Sequence, residues 1–229
     1  MAKKKDIKQI SKNNSGELKN ASYELFIAAL SILSIFNLIL IAILPSTASN
    51  AIGILGIMNA IFSLIFITDF SYRIYVAPDR KHYFFKDFGW ADLLASLPFA
   101  QLKILRIFRL LRVYRISKKY GAKRLIREFL NNRGGSALLT IFLLIIVLLE
   151  FAGIAILGVE KNAPNGNIKT PSDAIWWIIV TVTTVGYGDR FPVTNLGRII
   201  GVLVMAVGIG LVGTLTGFLA NVFLAPKKS

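Results

Sequence analysis

Thr183-Thr184-Val185-Gly186-Tyr187-Gly188-Asp189 lies in a short loop between two strongly apolar segments of a 229-residue chain. Glycine takes φ > 0 at little steric cost, so a Gly-Tyr-Gly run can turn successive backbone carbonyls to one side. A row of carbonyls facing a common axis can replace the water shell of a dehydrated cation. An ordinary turn between helices has no use for a Thr-Thr-Val run ahead of its glycines. One chain supplies one such strand, so closing a ring of carbonyls takes four copies, and a homotetramer is expected.

The flanking segments are those of a membrane protein. The chain is 55% hydrophobic and 17% charged, against about 45–50% and about 25% in soluble domains. Its mean hydropathy is +0.62. Apolar runs come close to the roughly 20 residues that cross a bilayer. Six spans are expected, over 22–44, 51–77, 87–97, 102–116, 136–159 and 196–224. A short helix over 171–182 should be re-entrant: Thr170 reads as its N-cap, Pro171 as its first residue, and Asp173 follows three after the cap. Its C-terminus would then point at the bilayer centre, where the negative end of its dipole favours a cation. The apolar run 25–44 is too long for the core of a signal peptide and no small-residue cleavage site follows, so it reads as a retained helix. Only five residues follow Leu224, so no regulatory domain is expected after the last span.

Net charge is +15, and its placement is informative. Lys3, Lys4, Lys5, Lys8, Lys12 and Lys19 crowd the start; Arg80, Lys81 and Lys86 follow the second span; another basic cluster fills 118–133. These alternate with loops that are uncharged or mixed, which puts both termini and the basic loops in the cytoplasm of a multi-pass cell-membrane protein. Anionic lipid headgroups are the expected partners of the basic loops. A pI of 10.2 would suit a nucleic-acid binder, but membrane spans separate the basic segments. The chain has no cysteine, which excludes disulfides and thiol–metal sites. One histidine, His82, and no polar triad exclude an enzyme; no cofactor is expected.

In the fourth span Lys103, Arg106, Arg109, Arg112, Arg115 and Lys118 recur every third residue with apolar residues between them. A three-residue step drifts by about 60° per charge, so the cations wind round the helix as a spiral stripe. Cations within a span are costly and mark ion paths or voltage sensors. Asp69 and Asp92 fall towards the cytoplasmic ends of the second and third spans, as partners for them. Beyond the ladder, Ala122, Leu125, Ile126, Phe129 and Leu130 oppose Lys123, Arg124, Arg127 and Glu128. That is an interfacial amphipathic helix, which Gly134-Gly135 should end before the fifth span. Glu160 closes that span, where it should cap packing near the outer mouth. Glu150 sits mid-span, where an ionisable group is a functional candidate by default; the favoured alternative is a protonated or Ser/Thr-paired structural carboxyl. In the last span 208–213 is formally G-x-G-x-x-G, yet it follows no strand and has no acidic residue about 20 positions on, so it is no dinucleotide fingerprint. Gly197/Gly201 and Gly213/Gly217 carry the small-residue spacing of closely packed membrane helices.

TTVGYGD resembles the filter signature of the potassium channel family in seven contiguous residues. The resemblance extends from Asp173 to about Ala220, through Trp176-Trp177, Pro192-Val193-Thr194 and Gly197-Arg198. It implies K+ as the permeant ion, bound by the Thr184 carbonyl and hydroxyl and by the Val185, Gly186 and Tyr187 carbonyls, with Thr183 and Gly188 in support. Trp177 would donate its indole N–H to Asp189, and Trp176 would complete the tryptophan pair. Val180 stands where some bacterial channels carry a glutamate. Gly208 falls on the gating hinge. Phe66, with Asp69 and Arg73, resembles the aromatic plug of the charge-transfer centre of voltage-gated channels, with Asp92 as its second acid. Asn59 departs from the outer acid of many relatives. The implied protein is an all-α membrane channel with a cytoplasmic tail (1–20), a four-helix voltage-sensor bundle (21–117), a linker helix (118–135), a two-helix pore domain with its re-entrant helix (136–225), and a short cytoplasmic tail (226–229). Potential would open it through the fourth helix. The alternative is a potassium channel gated by a ligand, lipid or pH, with a static or weakly responsive sensor.

Overall fold

The computed structural model describes residues 2–77, 80–85, 89–96, 114, 118, 121, 127 and 133–224. All of the regular structure among them is helical. The helices are α1 (Ala2–Ile43), α2 (Ser49–Val76), α3 (Arg80–Phe85), α4 (Gly89–Ser96), α5 (Arg133–Glu160), α6 (Pro171–Val182) and α7 (Asn195–Leu224). In lipid every backbone N–H and C=O must be satisfied within the segment, and a continuous helix does this. Four stretches are long and apolar enough to cross a membrane: Ser22–Ile43, Ser46–Val76, Ala137–Glu160 and Asn195–Leu224. They match the first, second, fifth and sixth expected spans to within a few residues. The expected third span meets the eight-residue α4, and the fourth lies almost wholly outside the described residues.

Two boundaries differ from expectation. The first helix begins at Ala2, so the basic stretch ahead of the apolar run is helical. The fifth begins at Arg133 and runs straight through Gly134 and Gly135, which the sequence reading took as a break. Glycine inside a helix costs only about 1 kcal/mol relative to alanine. A following run as apolar as 137–160 outweighs it.

The chain divides into two compact units, Met1–Ile39 with Ile61–Thr140, and Leu40–Ala60 with Ile141–Ser229. The core of the first includes Ile27, Leu30, Phe62 and Phe66. In the second, α6 packs on α7, and the first part of α2, up to Ala60, joins α5 and α6. A Cβ added to Gly53 would lie 2.5 Å from Pro171, and one added to Gly153 would lie 3.4 Å from Ile54. Ile156, Leu157, Ile168 and Ile178 belong to the core of this unit.

Candidate functional site

Helix α6 aims the 183–189 segment. Thr170 caps it in a reciprocal capping box: the Asp173 N–H donates to Thr170 Oγ1 at 3.1 Å, and the Thr170 N–H donates to Asp173 Oδ2 at 3.0 Å. Pro171 follows the cap, as the sequence indicated. Asp173 also accepts the Lys169 N–H at 3.1 Å and Arg190 Nε at 2.9 Å. Burial alone would raise the Asp173 carboxyl; those N–H groups, the Thr170 hydroxyl and the Arg190 guanidinium outweigh it and hold the group below the usual carboxylate range. At the other end, the Val180 carbonyl accepts the N–H groups of both Val185 (3.1 Å) and Gly186 (3.3 Å). The last turn of the helix thereby anchors the start of the segment.

The segment has an alternating backbone. Thr184, Gly186 and Gly188 take φ of 61°, 59° and 77°, while the residues between them stay at negative φ. Alternation of this kind turns successive carbonyls to a common side. The two glycines adopt it at no steric cost. Thr184 does not, because a β-branched residue at positive φ is a genuine outlier. Strain of this sort costs on the order of 1–3 kcal/mol and gathers at functional sites. In the single chain the segment faces outward, with Val185 53% and Tyr187 68% exposed.

The support differs from the resemblance in one place. Trp176, not Trp177, donates its indole N–H to Asp189, Nε1 to Oδ2 at 2.8 Å. Its ring also stacks on Tyr187, with centroids 5.8 Å apart and planes 8° apart. Trp177 is buried and turns towards α7, within 3.7 Å of where a Gly201 side chain would begin. Adjacent residues on a helix point about 100° apart, so only one of the pair can face Asp189. Thr183 donates its hydroxyl to the Ile179 carbonyl at 2.7 Å. Trp176→Phe should therefore cost up to about 1.5–3 kcal/mol, the scale of a hydrogen bond to a charged group. In an NMR spectrum of Asp189→Asn, the indole N–H of Trp176 should shift and that of Trp177 should not; the reverse would restore the original assignment.

Glu160 ends α5 and is fully buried. Its carboxylate accepts the Val193 N–H at 3.0 Å, the Thr194 N–H at 2.9 Å and the Thr194 hydroxyl at 2.6 Å. A Cβ on Gly197 would lie 2.0 Å from its Oε1, so the carboxylate fills the room that the glycine leaves. Gly208 lies inside the unbroken α7, buried, with Val182 Cα 3.0 Å from where its Cβ would be.

In the first unit Asp69 is buried and accepts Arg73 Nε at 3.0 Å and the Tyr23 hydroxyl at 2.6 Å. Arg73 extends to Glu24, Nη1 to Oε1 at 2.8 Å. Phe66 is 1% exposed, and Asp92 is buried in α4. The sequence reading missed Tyr23 and Glu24. No local pattern marks them, because their partners lie 46 and 49 residues away. Lys103, Arg106, Arg109, Arg112 and Arg115 fall outside the described residues. Lys118 is exposed, its Nζ 5.9 Å from the centre of the Tyr114 ring. Among the described residues no group of three or more His, Cys, Asp or Glu is placed to hold a metal ion.

The pattern of one protein family, described as "Ion transport protein", matches residues 20–225. The chain belongs to the ion transport protein family. That family transports ions rather than catalysing a reaction, and this member is a membrane protein. Several relatives are similar to it. A voltage-gated potassium channel of Aeropyrum pernix is 47% identical over 73 residues, 32% of this chain and 25% of that protein. The calcium-gated potassium channel TvoK of Thermoplasma volcanium is 40% identical over 93 residues, 41% of this chain and 27% of that one. The potassium voltage-gated channel protein Shal of Drosophila melanogaster is 27% identical over 151 residues, 60% of this chain and 26% of that one. This ion transport protein thus spans about a quarter of the length of each of the three.

Proposed function

We propose that the chain is the subunit of a potassium-selective channel, formed by four copies in the cell membrane and opened by membrane potential. The alternating positive φ of Thr184, Gly186 and Gly188 carries the reading. A strained, carbonyl-aligning loop on the C-terminus of an apolar half-helix suits a dehydrated cation. K+ would sit on the Thr184, Val185, Gly186 and Tyr187 carbonyls, backed by Thr183, Gly188, Asp189, Trp176 and Trp177. The exposed apolar face of α7, which includes Val202, Leu203 and Ile209, and the exposed filter segment suit contact with further copies. Potassium channels among the relatives support the same ion.

The sensor reading rests on Lys103, Arg106, Arg109, Arg112, Arg115 and Lys118 moving past Phe66, Asp69 and Asp92. Gly208 would be the hinge of the inner helix. The pairing of buried Asp69 with the Arg73 guanidinium on the same helix supports a role for this carboxylate as a partner of arginines. Both termini and the basic loops would face the cytoplasm and its anionic lipids. A second reading, opening by a bound ligand such as a divalent cation, is favoured by the likeness to TvoK.

The test is the purified chain in planar bilayers under voltage steps. Currents should reverse at the potassium equilibrium potential and open steeply with voltage. Each charge crossing the whole field contributes about 2.3 kcal/mol per 100 mV. Neutralising Arg109 and Arg112 together should therefore remove up to about 4.6 kcal/mol of drive per subunit over 100 mV. Potassium currents flat across about 200 mV would turn the assignment to the ligand-opened alternative.

A further inference from the structure

We infer that Asn167, in the loop between α5 and α6, is a positioning residue that clamps the outer end of the 183–189 segment and keeps it in place when cations leave. The inference rests on reading that segment as a potassium filter. Asn167 Nδ2 donates to the Asp189 carbonyl at 3.2 Å, and its Oδ1 accepts the Phe191 N–H at 3.0 Å. One side-chain amide thus pairs with the carbonyl of one residue and the N–H of the second residue on, as a neighbouring strand would. Because the Phe191 N–H can only donate, the amide orientation is determined.

The clamp stands on a fixed base. Lys169 Nζ donates to the Lys161 and Ala163 carbonyls, both at 2.9 Å, and ties the loop to the end of α5. The N–H of Ala163 donates to the Glu160 carbonyl at 3.0 Å and that of Gly166 to the Ala163 carbonyl at 3.1 Å. Asn165 takes φ of 60° to make the turn, and Ile168 beside the clamp is fully buried. Between the two clamped residues Arg190 is held by Asp173 on α6. The last residue of the filter segment and the two that follow it are therefore held by side chains, two of the three by Asn167.

The physical need is clear. Carbonyl dipoles that converge on one axis repel each other, and the cation between them offsets the repulsion. When the outermost cation leaves, only the protein behind the segment resists its rearrangement. Val180 contributes no polar side chain there, which leaves Trp176 and Asn167 to hold Asp189.

The experiment follows the decay of potassium current during sustained opening, at high and at low outer potassium, in the full chain. Asn167→Ala should decay about tenfold faster than the parent at low outer potassium, equivalent to about 1.4 kcal/mol of barrier, and near the parent rate at high potassium. Asn167→Asp keeps the acceptor for Phe191 and loses the donor while ionised. It should decay fast at neutral outer pH and recover towards the parent near pH of about 4, where a carboxyl regains its proton. Asp189, Asp173, Arg190, Lys169, Lys161 and Glu160 are the charged groups on the elements packed around it. The parent and Asn167→Ala carry them too, so both control for their titration. A parent protein that passes no potassium current overturns the filter reading itself. A conducting parent with Asn167→Ala decaying at its rate at low potassium overturns the clamp alone. If Asn167→Ala does not assemble, Asn167→Asp decides: equal decay at both pH values rejects the inference.

Discussion

Gly186→Ala is expected to abolish potassium selection. Gly186 sits at φ 59° in the middle of the alternating segment, where a Cβ costs about 1–2 kcal/mol. No neighbouring atom lies within 4 Å of the added carbon in one chain, so backbone conformation, not a clash there, supplies the penalty. In the proposed ring of four copies it would multiply to about 4–8 kcal/mol. Thr184 already adds strain two residues earlier. The cheapest relief is for residue 186 to return to negative φ, which swings its carbonyl away from the common side and removes one ring of ligands. The reversal potential between potassium and sodium solutions should move from the potassium equilibrium value towards zero. Tyr187→Ala should do the same by removing the ring that Trp176 stacks against. If both variants keep the parent's reversal potential, residues 184–187 do not select the ion.

The largest effect on stability is expected at Glu160. Glu160→Leu leaves the Val193 N–H, the Thr194 N–H and the Thr194 hydroxyl without their acceptor. A fully buried orphaned group costs about 1–3 kcal/mol; these three are part-buried, so a total of about 2–4 kcal/mol is expected, still a large share of the 5–15 kcal/mol or so that holds a typical domain together. A thermal midpoint in detergent about 10 °C or more below the parent is the expected reading. Glu160→Gln retains one acceptor oxygen and should fall between the two. Gly197→Ala is the independent check, since its methyl would have to occupy the space of the carboxylate. Should Glu160→Leu and Gly197→Ala both melt with the parent, the carboxylate is not what ties α5 to the start of α7.

Much of this site was legible in the sequence because its signals are local. The capping box needs only residues 170–173, the alternating loop only 184–188, and the long helices only runs of apolar residues. What the sequence withheld depends on rotation and on distance along the chain. Two adjacent tryptophans look equivalent until the helix phase is known, and the partner of Asp189 proved to be the first of the pair. Tyr23 and Glu24 meet Asp69 and Arg73 across two helices, and Asn167 reaches over 22 and 24 residues; no periodicity encodes such pairs. The paired glycines 134–135 misled because a propensity of about 1 kcal/mol was weighed without the lipid that forbids an open backbone.

The close approach of Gly208 to Val182 has a thermodynamic side. The last residue of α6 rests on the inner helix at the position expected to bend, with room for hydrogen and little else. Tilting α7 there must either load Val182 or release it, and Val182 immediately precedes the segment that would hold the ions. Two equilibria that share one contact are linked, and linkage is reciprocal. Whatever free energy bending of α7 imposes on ion occupancy, ion occupancy returns to the bending. In the channel proposed above the permeant ion would also be an effector, and replacing it with a cation of another radius should shift the voltage at which half the channels are open.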